Sequence, residues 1–147
     1  MIKAHMITAI VLCAGIALFN AYTGGFRAEA QEQRYTDLPR AGAKYEINPH
    51  TFFTYEFNRR PAIGTLIVKI VVTGKDGAKR TDLQIKGDSG MPSMRGHHDS
   101  GDVLFQKNRK GDYLLPVNVV MPGDWEVRLK FFQGGKIIYH GSIKFDV

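Results

Sequence analysis

The sequence predicts an all-β protein, an immunoglobulin-like antiparallel β-sandwich of about seven strands, preceded by an N-terminal signal peptide or anchor. Three observations favour this fold class. From Tyr45 onward, apolar and polar residues alternate with a period of two, as in half-buried strands. Segments rich in Gly, Asp, Asn and Pro separate the alternating stretches. No segment after residue 30 shows the periodicity of an amphipathic helix, which favours two packed sheets.

The alternation is clearest in residues 125–131, where Glu126, Arg128 and Lys130 separate large apolar side chains. In residues 66–72 every second residue is apolar and would share one face of a strand, and Gly74-Lys75-Asp76-Gly77 ends that strand with turn residues. The seven predicted strands are 51–57, 66–72, 83–86, 103–107, 113–120, 125–131 and 137–145.

The N-terminus has the three parts of a secretory signal peptide. Lys3 precedes the apolar run from Met6 to Phe19, and Ala28-Glu29-Ala30 ends the segment. We expect cleavage after Ala30, with retention as a membrane anchor as the alternative, because the run is shorter than the ~20 residues of a membrane span. Both place the remaining chain in the periplasm or on the outer face of the cytoplasmic membrane. The predicted division is a signal peptide or anchor (1–30), a linker (31–44) and the sandwich (45–147).

Composition excludes several functions. The single cysteine, Cys13, lies in the apolar run, so the mature chain has no thiolate chemistry and no disulfide. The net charge is +6, but the basic residues are scattered along the sequence, and export argues against nucleic acid as a partner. Because no group of residues has the pattern of a catalytic site, we expect a non-enzymatic domain.

One segment, residues 87–102, does not alternate and is long for a loop inside a compact sandwich, which is typical of functional loops. Met91, Met94, His97 and His98 lie in it. The mature chain has only one further methionine, Met121. Thioether sulfur is soft and selects Cu(I), and imidazole accepts either oxidation state of copper. The spacing Met91-x-x-Met94-x-x-His97 therefore indicates a copper site, with Cu(I) favoured.

A second interpretation of these methionines stays open. A methionine in a loop over a sandwich often fills the open end of the core, since its side chain is flexible and apolar. Met121 continues the inward phase of the strand before it, so we expect core packing there more than ligation. His97-His98 is equally compatible with a solvated turn or with a weak binding site for zinc or nickel.

Three motifs in a fixed order resemble a known family: Met91-Pro92-Ser93-Met94 with His97-His98, then Gly111-Asp112-Tyr113, then residues 121–127, M-P-G-D-W-E-V. They resemble the YtkA-like domain, related to FixH-type proteins of bacterial cytochrome oxidase assembly, over about residues 50–147. The resemblance implies an exported or membrane-anchored, non-enzymatic, immunoglobulin-like domain linked to copper handling and oxidase maturation. It implies that Met91, Met94 and also His97, His98 and Met121 face the metal.

One departure from this family matters: FixH-type proteins keep an N-terminal anchor, whereas this apolar run is short and a cleavage site follows it. The sequence thus leaves two functions open. The first is a copper-binding domain that serves a membrane-bound oxidase or a copper-transfer protein. The second is a metal-free protein-interaction module at the outer face of the cytoplasmic membrane. The positions of the Met91 and Met94 side chains separate them, because side chains that point into the core favour the second.

Overall fold

A computed structural model describes residues 34–147, and the predicted signal peptide or anchor lies outside the described residues. Ten strands and one turn of 3-10 helix, Pro92–Met94, form the described segment. The strands are β1 (Thr36–Asp37), β2 (Tyr45–Asn48), β3 (Thr51–Phe57), β4 (Gly64–Gly74), β5 (Gln84–Gly90), β6 (Val103–Leu104), β7 (Gln106–Lys107), β8 (Tyr113–Val119), β9 (Asp124–Gln133) and β10 (Lys136–Asp146).

The strands form two five-stranded sheets, ordered β1-β10-β9-β5-β6 and β2-β3-β4-β8-β7. Without the short strands β1, β2 and β6, the orders are β3-β4-β8-β7 and β5-β9-β10. These match the A-B-E-D and C-F-G sheets of an immunoglobulin domain, with letters assigned in chain order. All pairings are antiparallel except that of β1 with β10. The predicted fold class is confirmed.

The core lies between the sheets and follows the predicted alternation. Leu66, Val68, Ile70 and Val72 of β4 are at most 1% exposed, and the inward residues of β9 pack against them from the other sheet. Phe53 and Phe131 join the sheets, with ring centroids 4.7 Å apart. The buried core residues run from position 38 to position 143, so residues 34–147 contain a complete core and form a unit of their own.

Two details differ from the sequence prediction. The segment predicted as one strand, 103–107, forms two strands in different sheets, because Phe105 turns into the core (4% exposed) where the chain crosses between them. The sandwich also begins before residue 45. Thr36 pairs with Gly141, and the Leu38 side chain, inside the predicted linker, is 1% exposed. Burial of one leucine and the β1 pairing hold this arm against β10.

Candidate functional site

The predicted loop, residues 87–102, begins later than the sequence indicated. β5 continues to Gly90, and its inward positions are Ile85, Gly87, Ser89 and then Met91. The alternation was not visible in the sequence because Gly and Ser occupy two of these positions. Gly87 is required there, since a Cβ would lie 2.5 Å from a Leu115 methyl carbon and 3.0 Å from the Phe105 ring. Met91 thus continues the core face of β5.

The structure places the three predicted methionine ligands against the core. Met91 is 5% exposed and belongs to the core, and its Cε lies 2.7 Å from where a Cβ on Gly123 would stand. Met94 and Met121 are partly buried and pack against the same core. The Trp125 indole N–H donates to the Met121 carbonyl (3.0 Å), which fixes the turn before β9. This arrangement favours the interpretation of these methionines as core filler.

His97 and His98 lie elsewhere, on the exposed part of the loop after the 3-10 turn. The backbone N–H of His97 donates to the Met94 carbonyl (3.2 Å). Among residues 34–147, no three His, Cys, Asp or Glu side chains group as a metal site. That observation does not concern thioether donors, so the Met/His copper site stays a prediction.

A cluster of charged side chains, which the sequence pattern did not predict, holds the loop on the outer face of the sheet. Arg95 reaches back from the loop and pairs with Glu126 of β9 (2.5 Å), with Asp99 (3.2 Å) and with Asp88 (3.4 Å). Glu126 also accepts from the Ser142 hydroxyl and from Arg128. We call Arg95, Asp88, Asp99 and Glu126 the Arg95 cluster.

The pKa values of the two sheet carboxylates in the Arg95 cluster, Glu126 and Asp88, are shifted in opposite directions. Burial raises the pKa of Glu126, but hydrogen bonds from Ser142 and Arg95 outweigh it and hold this pKa below the ordinary value. Burial raises the pKa of Asp88, and Arg95 compensates only in part. One oxygen of Asp88, Oδ1, is buried without a hydrogen-bond partner. Glu126 is therefore the main anchor of Arg95.

Alternation placed Glu126 on the solvent face of β9, yet it is 4% exposed because Arg95 lies over it. Only the two aspartates on either side of Arg95 in the sequence, Asp88 and Asp99, pointed to such a cluster. Charged residues in a loop otherwise predict a solvated surface.

A groove of about 310 Å³ lies beside the same loop, between β6 of one sheet and β8 of the other. Val103 and Val120, respectively 41% and 52% exposed, form its apolar rims, and the buried side chains of Leu115 and Trp125 form its floor. His98 and two serine hydroxyl groups line the remaining wall. We call this cavity the β6–β8 groove.

The edge of β8 along this groove is open. β7 pairs with β8 only at Tyr113 and Leu114, so the rest of that edge has no neighbouring strand within the described segment. The backbone N–H and C=O groups of Ile67, on β4, both bond to Asn58 and so point away from β8. Ile67 and its partner on β8, Pro116, therefore form a non-hydrogen-bonded pair. The Pro116 carbonyl and both backbone groups of Asn118 therefore point away from β4, along the groove.

Comparison with protein-family models, with curated proteins and with solved structures finds no significant match for this chain. Among residues 34–147, no helix has the length and apolar character needed to cross a bilayer. The resemblance to the YtkA-like family stays a prediction from the motifs alone.

Proposed function

We propose that the protein is an exported, non-enzymatic interaction module that binds an extended peptide segment of a partner protein in the β6–β8 groove. The observation that carries the proposal is the open edge of β8 beside an apolar groove. A strand edge with free backbone groups is a template for another strand. Recognition by strand addition combines backbone hydrogen bonds with pockets for alternate side chains.

The geometry limits how such a segment binds. Pro116 has no N–H, so the edge offers the Pro116 carbonyl and the two backbone groups of Asn118, up to three hydrogen bonds. The apolar contacts at Val103, Val120, Leu115 and Trp125 supply the remaining affinity. An apolar residue at every second position of the peptide fits this groove, since alternate side chains of a strand share one face.

The position of the methionines supports this function over copper binding. Met91 is a core residue, so a surface copper site would need it to leave the core. Copper handling and oxidase maturation remain predictions that rest on the resemblance of three motifs to the YtkA-like family.

Selection of random twelve-residue peptides on residues 31–147, in buffer with a strong metal chelator, tests the proposal. We expect enrichment of peptides with alternating apolar residues, bound at micromolar affinity. Backbone amide resonances of Asn118 and Val120 should shift on titration with a selected peptide.

The matched variants are Val120→Asp and Ile137→Asp, because both side chains are large, apolar and exposed, by 52% and 41%. Val120 is on the groove rim and Ile137 is on β10, away from it. Val120→Asp should weaken peptide binding at least ~10-fold, about 1.4 kcal/mol, and Ile137→Asp should leave it unchanged. Equal effects of both variants, or selection of peptides only in the presence of copper, would contradict the proposal.

A further inference from the structure

Basic residues that are scattered in the sequence converge at one end of the sandwich. This end is formed by the loops and strand termini 48–51, 74–84, 107–113 and 133–136, and we call it the basic end. It carries seven Lys or Arg against three Asp, a net charge of +4. Residues 34–147 as a whole carry 18 basic and 12 acidic side chains, so most of their net charge lies there.

Hydrogen bonds hold these loops in one arrangement. The Lys79 ammonium donates to the Lys110 carbonyl (3.0 Å), and the Lys107 ammonium donates to the Thr81 carbonyl (2.8 Å). The Asn108 side chain accepts from the backbone N–H groups of residues 110 and 112, both at 2.9 Å. The basic end is therefore a fixed surface rather than a set of independent loops.

Five of the seven cations of this surface lack a carboxylate partner. Lys79 and Arg80 are paired with Asp112 and Asp82. Lys107 donates only to a backbone carbonyl, and four further exposed side chains form neither an ion pair nor a side-chain hydrogen bond with any residue of the described segment. They are Lys75, Arg109, Lys110 and Lys136. Their charge is available to an anionic partner.

The first strand of the described segment runs away from this end. β1 runs parallel to β10, which begins at Lys136 of the basic end, and Thr36 is level with Gly141. Arg34, the first described residue, therefore lies on the basic-end side of Thr36. The apolar run of the sequence, residues 6–19, precedes Arg34 by only fourteen residues.

We propose that the basic end docks on a bilayer surface that contains anionic lipid headgroups. Cations spread over one end of a domain fit a layer of mobile charges, and each Lys or Arg near such a surface strengthens binding about fivefold. The apolar run that lies only fourteen residues before Arg34 in the sequence favours a bilayer as the anionic partner. In this orientation the β6–β8 groove points away from the membrane, so the inference goes beyond peptide binding and does not depend on it.

Vesicle binding of residues 31–147, the predicted mature chain, tests the surface without the apolar run. We expect binding to vesicles in which about a third of the lipid is phosphatidylglycerol, and no binding to pure phosphatidylcholine. Binding should weaken strongly as salt rises from low to physiological concentration, because the Debye length shortens to about 8 Å.

Removal of three free cations together, Lys75→Gln, Arg109→Gln and Lys136→Gln, should lower the vesicle partition coefficient about 100-fold. The matched control is Arg40→Gln, Lys44→Gln and Arg60→Gln, which removes the same charge from exposed, unpaired side chains outside the basic end. The control should retain most of the binding. Thermal unfolding checks that both triple variants remain folded.

Orientation provides a second readout. The mature chain has no cysteine, so a fluorophore can be attached at Ala78→Cys, at the basic end, or at Pro122→Cys, between β8 and β9. A quencher on the lipid headgroup should quench the dye at position 78 and not that at position 122.

Several outcomes would overturn the inference. These are equal binding to neutral vesicles, equal losses in the two triple variants, or quenching at position 122 rather than 78. Binding of double-stranded DNA that depends on the same three cations, without vesicle binding, would make the surface a nucleic-acid site instead.

Discussion

The two ends of this sandwich are built on different chemistry. The basic end carries a net charge of +4 on loops held together by hydrogen bonds from lysine side chains to backbone carbonyls. The opposite end, which we call the methionine end, comprises residues 57–64, 90–103, 119–124 and 146–147. It carries three basic and four acidic side chains, and Met91, Met94 and Met121 close the core there.

The difference between the ends separates the two proposed surfaces. Free charge at the basic end suits a membrane, whereas the charges of the methionine end sum to −1 and its loop cation, Arg95, is paired within the Arg95 cluster. The exposed apolar side chains of Val120 and Val103 also lie toward the methionine end, where they border the β6–β8 groove. A membrane at one end and a protein partner near the other can therefore bind at the same time.

The largest effect should come from breaking the Arg95 cluster. In Glu126→Gln, Arg95 keeps only Asp99 and Asp88, at 3.2 and 3.4 Å, and loses its anchor on β9. We expect a loss of about 3 kcal/mol in the free energy of unfolding, measured in urea at pH 7. Amides of residues 91–102 should exchange faster, while those of the basic end stay unchanged.

The pH dependence sharpens this prediction. The folded-state pKa of Glu126 is lowered, so its stabilisation is present above its unfolded pKa and is lost as the pH falls through the folded value. The difference between wild type and Glu126→Gln should thus shrink below about pH 4. The control is Glu56→Gln, whose surface pair with Lys69 (2.8 Å) should contribute less than about 1 kcal/mol. A pH-independent difference would contradict the assigned role.

Truncation of the buried methionine should have the next largest effect. Met91→Ala leaves a cavity between β5 and Gly123, and we expect a loss of about 2–3 kcal/mol in urea unfolding. Met91→Leu keeps the volume and should cost less than about 1.5 kcal/mol. Met94→Ala is the matched control, since Met94 is only partly buried and should lose less. Equal losses for Met91→Ala and Met94→Ala would show that Met91 is not a special core residue.

The sequence predicted the fold well because alternation survives in long strands such as β4 and β9. The prediction failed where the inward residues are small. Because Gly87 and Ser89 interrupt the apolar alternation, the last part of β5 was not predicted as a strand and Met91 was predicted to lie in a loop. It also missed the short strands β1 and β2, since two to four residues show no clear period.

The candidate sites were harder to predict, because they depend on contacts between distant positions. Arg95 and Glu126 are 31 residues apart, and the groove joins β6 with β8 from different sheets. The convergence of Lys75, Arg109 and Lys136 likewise follows only from the topology. Residue type drew attention to soft-metal chemistry, whereas burial shows Met91 in a packing role.

A smaller effect is expected at the basic end. Asn108→Ala removes the acceptor of two backbone N–H groups and the donor to Asp112 (3.1 Å), so the loop that carries Arg109 and Lys110 should loosen. We expect a loss of about 1–2 kcal/mol in unfolding and weaker binding to anionic vesicles. Asn118→Ala is the control, because Asn118 is exposed on the groove side and far from this loop. It should change stability by less than about 0.5 kcal/mol.

The smallest effect on stability should come from the exposed histidine pair at the methionine end. His97→Ala with His98→Ala should change the free energy of unfolding by less than about 0.5 kcal/mol, since neither side chain is buried.

Thermal unfolding with and without excess Cu(I) then tests the copper prediction directly. A ligand at a hundred times its dissociation constant stabilises a protein by about 2.7 kcal/mol. If Cu(I) raises the melting temperature and the double variant abolishes that rise, the loop binds copper. The methionines would then act as ligands as well as filling the core. Because Met91 is already packed in the core, we expect the melting temperature to be the same with Cu(I) and with a chelator.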